Sequence, residues 1–181
     1  MNSESQIYGG KIVDLANPSD YDVDINHIAI ALSRQCRFNG NTRKFYSVAQ
    51  HSLYVASLLP EDIKIYGLLH DAHEAFLGDI TTPLANALGL AAQEAINNLK
   101  DQWDEAIYNG LNIDKPNDRT KELVRNADHQ ALIYEANNLM WDCEYWERNP
   151  TRDFYALSIN DSSDKFLQTY YKLLAEMESW I

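Results

Sequence analysis

Apolar residues recur at steps of three and four along most of the chain, the period of helices that bury one face. Ile25, Ile28 and Leu32 follow Asp24, a good N-cap, and predict a first helix ending near Gln35. The pattern then lapses over 36–46 (CRFNGNTRKFY), where Asn39, Gly40 and Asn41 read as loop. Ser47 and Gln50 make a capping box, and the stripe Val48, His51, Val55, Leu58 behind it turns His51 inward on a second helix. Pro60 and Glu61 open a third helix that runs through Phe76 and closes at Gly78, followed by a short polar turn over 79–83. A fourth carries Ile96, Leu99, Trp103 and Ile107 and stops at Gly110; a fifth runs from Asn117 or Asp118 to about Met140. Residues 141–160 have no period and read mostly as loop, and a last helix follows Asp161 to Asp164 through Phe166, Tyr170, Leu174 and Met177. No segment alternates as a strand should. The expected fold class is therefore all-α, a compact helical bundle.

A length of 181 residues suits one domain, here 1–181, with a motif-bearing core over about 24–140 and a C-terminal helix over about 164–180. No apolar run is long enough to cross a bilayer, and residues 1–11 are polar, so the expectation is a cytoplasmic protein with no membrane partner. Cys36 and Cys143 then read as reduced thiols. The net charge of -12 argues against a nucleic-acid backbone as partner. A small anion remains compatible, provided that cations or metal ions gather locally against the acidic background.

The dipeptide His70-Asp71 is weak on its own, since 5 His and 16 Asp in 181 residues give about 0.4 such pairs by chance. Context adds weight. At about 100° per residue, His70, Asp71 and Glu74 share one arc of the third helix, among the apolar Leu68, Leu69, Ala72, Phe76 and Leu77. A carboxylate buried there needs a partner. His51 lies in an apolar stripe, and Asp128 sits among Val124, Ala127, Ala131 and Leu132. Four inward imidazole and carboxylate groups suit a divalent transition metal (Zn, Co or Mn, with Fe and Ni also compatible), and the lack of thiolates argues for an open, hydrolytic site. His27 and His129 read as ordinary packing or surface histidines. His73 divides between packing and a proton-donating role, and Glu135, seven residues after Asp128, faces the same way. The four Trp read as core or interface.

The pattern of a His, then His-Asp, then a later Asp resembles the HD-domain phosphohydrolases. The segments DINHIAIALSRQCRFNG, YSVAQHS, LLHDAHEAFLGDITTP and ADHQALIYEANNLM are similar to the bacterial and phage branch of 5'-deoxynucleotidases, and to the dATP triphosphohydrolases of phages that replace adenine with 2-aminoadenine. The resemblance implies His51, His70, Asp71 and Asp128 as metal ligands, Glu74 as proton carrier, Asp79 as orienter of water or substrate, and Arg37 as a phosphate or sugar contact. Phe38 stands where the deoxynucleotidases have Trp, and Leu84, Ala85 and Asn86 stand where many relatives have a Lys after Pro83. Arg43 and Lys44 would complete a triphosphate site, unless they are merely solvated loop cations.

What the resemblance implies is thus a deoxynucleoside triphosphate triphosphohydrolase acting on dATP, with a second ion such as Mg²⁺ on the phosphates, or alternatively a 5'-deoxynucleotidase acting on monophosphates. A cyclic-nucleotide phosphodiesterase and a non-catalytic, metal-stabilised ligand sensor are the other readings. A homo-oligomer, dimer or hexamer, is implied as well.

Overall fold

The computed structural model describes residues 3–141 and 155–178, so Cys143, Trp146, Trp180 and most of the expected 141–160 loop lie outside the described residues. The architecture is all-α around a small N-terminal hairpin: β1 (Glu4–Gln6), β2 (Ile12–Asp14), α1 (Ile25–Arg34), α2 (Val48–Ser57), α3 (Lys64–Leu69), α4 (Glu74–Leu77), α5 (Thr82–Leu88), α6 (Leu90–Gly110), α7 (Asp118–Leu139) and α8 (Ile159–Glu178).

Caps fall where the sequence places them. Asp24 accepts from the Asn26 amide, Ser47 from Gln50 and Asn117 from Thr120. The capping box is only half made, however. The Gln50 side chain turns away from Ser47 to donate to the Tyr155 carbonyl at 2.7 Å and accept from the Leu157 amide at 2.8 Å, which ties the approach to α8 onto α2. That helix begins at Ile159, slightly ahead of the expected start.

Three expectations are corrected. The chain does contain strands: β1 and β2 pair antiparallel with Glu4 opposite Asp14 and Gln6 opposite Ile12, joined through Gly9 and Gly10 at φ 88° and 87°. Strands of three residues are too short to show alternation. The expected third helix is broken, with a 3-10 turn at Glu61–Ile63, α3, tight turns over 70–73, and then α4. Finally, the expected turn over 79–83 shrinks, because α5 begins at Thr82 and Gly89, at φ 88°, separates it from α6.

The main core runs from Val13 of the hairpin to Phe166, Tyr170 and Leu173 of α8, through Ile28, Leu32, Leu68, Leu69 and Trp103. Trp103 is fully buried, stacks on Phe76 with centroids 3.8 Å apart and donates to the Leu15 carbonyl. A second, smaller cluster joins Val55 of α2 and Leu59 just beyond its end to Val124, Ala127 and Ala131 of α7. That contact sets His51 against Asp128. Gly67 performs the same service between α2 and α3, since a Cβ there would stand 2.5 Å from Leu59 Cδ1 and 3.0 Å from Ala56 Cα.

Candidate metal centre

The break after α3 shapes the site. Across it the amides of Ala72, Glu74 and Ala75 bond to carbonyls three residues back, at 2.9–3.1 Å, rather than four. Three-residue winding brings side chains at i and i+3 into line. Asp71 and Glu74 therefore come together, with His73 beside them, their ligand atoms within 4.8 Å of one another.

The four residues singled out in the sequence converge. His51 Nε2 lies 3.1 Å from Asp128 Oδ1, 3.3 Å from His70 Nε2 and 3.5 Å from Asp71 Oδ2. His70 Nε2 is 3.0 Å from Asp71 Oδ2 and 3.9 Å from Asp128 Oδ1. The far side of each ring is committed: His51 Nδ1 faces the Glu135 carboxylate at 2.7 Å, and His70 Nδ1 faces the Gly67 carbonyl at 2.9 Å. Those acceptors place the proton on Nδ1 in each ring and leave both Nε2 lone pairs pointing at each other and at two carboxylates.

Four acceptors meeting without a donor require a cation, and this donor set fits a metal ion. A proton is the substitute. Burial works against the His51 imidazolium, yet Glu135 and the hydrogen bond to Asp128 outweigh it and push its pKa up to about 9. Asp71 is held well below the usual carboxylate range by His70 and His51 despite its burial, and Asp128 is lowered by His51 likewise. The cluster can hold a metal ion among His51, His70 and Asp71, with Asp128 closing it.

Glu135, fully buried, is the hub behind the site. Besides His51 it receives Tyr46 Oη at 2.9 Å and Arg37 Nη2 at 3.2 Å. Burial disfavours the charge on Arg37, but Glu135, Asp71, Asp128 and Asp79 more than restore it. Arg37 Nε is buried without a partner among the described residues, a free donor beside the cluster. Phe38 follows in the left-handed region at φ 56°, unusual for a bulky residue, with its ring 5.4 Å from the guanidinium it covers.

Arg43 sits elsewhere: its guanidinium donates to the Asn138 carbonyl at 2.7 Å and its amide to Leu139, which ties the loop to the C-terminal end of α7. Lys44 is exposed. Burial, followed by Asp71 and Asp79, pushes the Glu74 carboxyl up to about 10, and its Oε2 has no hydrogen-bond partner among the described residues. Asp79 is raised by burial against the pull of Arg37. His73 Nδ1 pairs with Asp104 of α6 at 2.8 Å, and His27 packs edge-on against Phe76.

Five residues around the site were not singled out in the sequence: Tyr46, Asp104, Lys100, whose charge favours ionised Glu74 and Asp79, and the α7 pair Lys121 and Arg125. Only the last had a readable signal, their spacing of seven and three residues before Asp128. The others depend on how α6 and the 36–46 loop fold back.

No family model matches the sequence. The chain is similar to the uncharacterized protein YfdR of Escherichia coli, 46% identical over 67 residues, which is 37% of this chain and 38% of that one. It is also similar to an uncharacterized protein of Rhodobacter capsulatus, 39% identical over 112 residues, 57% of this chain and 55% of the relative. The matches thus span about half or less of those relatives' own lengths.

Proposed function

We propose that the protein is a metal-dependent deoxynucleotide phosphohydrolase of the HD-domain type, acting on deoxynucleoside triphosphates and, by resemblance, on dATP first. The observation that carries this reading is the convergence of His51, His70, Asp71 and Asp128 with Arg37, Glu74 and Asp79 around it.

His51, His70, Asp71 and Asp128 would hold a divalent ion such as Zn, Co or Mn, which supplies positive charge for a phosphate oxygen and favours a deprotonated water. Arg37, anchored through Nη2 on Glu135, offers its remaining N–H groups to phosphate oxygens. Glu74 carries a proton at neutral pH and suits the leaving oxygen; Asp79, beside Arg37, orients water or substrate. Water adds to the α-phosphorus, the bond from phosphorus to the 5' oxygen breaks, that oxygen takes a proton, and triphosphate leaves intact. Phe38 would meet the nucleoside.

The monophosphate alternative gains weight from Arg43, which is committed to α7 and adds no cation to the site. The test is to incubate metal-loaded protein with each deoxynucleoside mono-, di- and triphosphate and identify the phosphate released. Orthophosphate from monophosphates alone selects the alternative, and binding without turnover selects a sensor. By the same resemblance the working form is a homo-oligomer, which light scattering tests.

A further inference from the structure

Helix α5 buries none of its residues, and the buried positions of α6 begin only at Trp103. Residues 82–98 therefore form a helical arm, folded at Gly89 with α5 packed on α6, which joins the main core at Leu99. Three leucines stand open on it: Leu84, Leu88 and Leu90 are 46%, 58% and 77% exposed. Together they show roughly 300 Å² to solvent, a patch of the size that on a single chain is often functional.

Charge sets the arm apart from the rest of the surface. Residues 80–99 (ITTPLANALGLAAQEAINNL) hold one charged residue, Glu94, in a chain that is 23% charged and carries a net charge of -12. A helix lying on a lipid surface uses Lys or Arg on its polar face, and a nucleic acid is held by cations; this segment has neither Lys nor Arg. A charged protein partner would find nothing here to pair with. Two copies of this acidic chain repel wherever their charged surfaces meet, so a neutral face is where they approach at least cost. The arm also complements itself. Leu84 and Leu88 lie four residues apart on α5 as an exposed ridge, and Ala91 and Ala95 lie four apart on α6 as an exposed row of small side chains. Its length is close to the about 20–30 residues that each side of a stable interface of about 800 Å² per partner uses.

We propose that the arm of α5 and α6 is the surface through which two copies of this chain associate, with the leucines of each copy seated on the alanine row of the other about a two-fold axis. This names the face behind the homo-oligomer inferred above by resemblance, and it needs no catalytic activity.

The test is sedimentation velocity on the full chain, wild type against the double variant Leu88→Asp, Leu90→Asp. Both side chains are exposed in the single chain, so circular dichroism and metal content should match wild type. Wild type should sediment at twice the 20.8 kDa mass of one chain, and the dimer should tighten as salt rises from about 0.05 to about 0.5 M, because screening removes the repulsion. The variant should dimerise at least about 100-fold more weakly, each buried unpaired charge costing about tenfold or more. Hydrogen exchange over 82–98 should slow with rising protein concentration in wild type alone. A wild type that stays monomeric at about 100 µM would overturn the proposal, as would an unchanged dimer affinity in the variant. Protection of 82–98 at every concentration would overturn it too, by assigning the leucines to a cover within the chain, and so would a monomer that binds phosphatidylcholine vesicles through the arm. Association through the arm by protein that hydrolyses no nucleotide would uphold it and remove the hydrolase reading instead.

Discussion

Glu135 bears on three side chains at once, and each would suffer differently from its loss. Glu135→Ala leaves the Arg37 charge buried and unpaired and frees the His51 ring to change tautomer. The expected cost is about 3–5 kcal/mol in unfolding free energy, with metal affinity down about 10- to 100-fold; denaturant titration and competition with a chelator measure the two. Tyr46→Phe removes one hydrogen bond to the same carboxylate and should cost only about 1 kcal/mol.

Protonation gives two further tests at this scale. Because the His51 pKa is raised to about 9, the stability its proton supplies to metal-free protein is complete below pH ~6.5 and lost as the pH rises through about 9. A metal ion must displace that proton, so metal affinity should rise about tenfold per pH unit up to pH ~9 and flatten above. Glu74 is a carboxyl raised to about 10, so the folded state binds a proton that the unfolded state releases, and stability falls as pH rises from about 4.5 to about 10. Glu74→Gln should therefore stabilise metal-free protein at pH 7 by on the order of 2–3 kcal/mol and abolish turnover. Equal stability of the two proteins at pH 8 would argue against a buried, neutral Glu74.

Among the elements, the junction of α2, α3 and α7 decides the site. Gly67→Ala would push Leu59 and the α2 backbone away from α3 and so separate His51 from His70. A loss of about 1–3 kcal/mol is expected, together with weaker metal binding. Helices α1, α2 and α7 were legible because caps and apolar stripes agree there, and so was the inward phase of His51, whereas Asp128 meets the cluster with 42% of its side chain still exposed. The break between α3 and α4 was not, since His70 and His73 keep helical dihedrals and nothing in residues 70–73 marks a tightening. Gln50 misled for a related reason: its local partner was plausible, and its actual partners lie more than 100 residues away.

At the scale of the whole molecule, an acidic chain builds a site that wants cations, and it gathers its own cations beside that site from the loop ahead of α2, from α6 and from α7. The family resemblance, rather than patterning, pointed to the first of these sources, in Arg37. It could not locate Lys100, whose relation to Glu74 and Asp79 depends on the course of α5 and α6. Among the described residues, no helix is long and apolar enough to cross a membrane.

The most direct test of the metal-centred hydrolase is phosphorus NMR of dATP incubated with metal-loaded protein, alongside a variant carrying both His70→Ala and Asp71→Ala. Tripolyphosphate and deoxyadenosine should form with wild type only. Turnover that survives the double substitution, or no turnover of any deoxynucleotide by protein shown to carry metal, would contradict it.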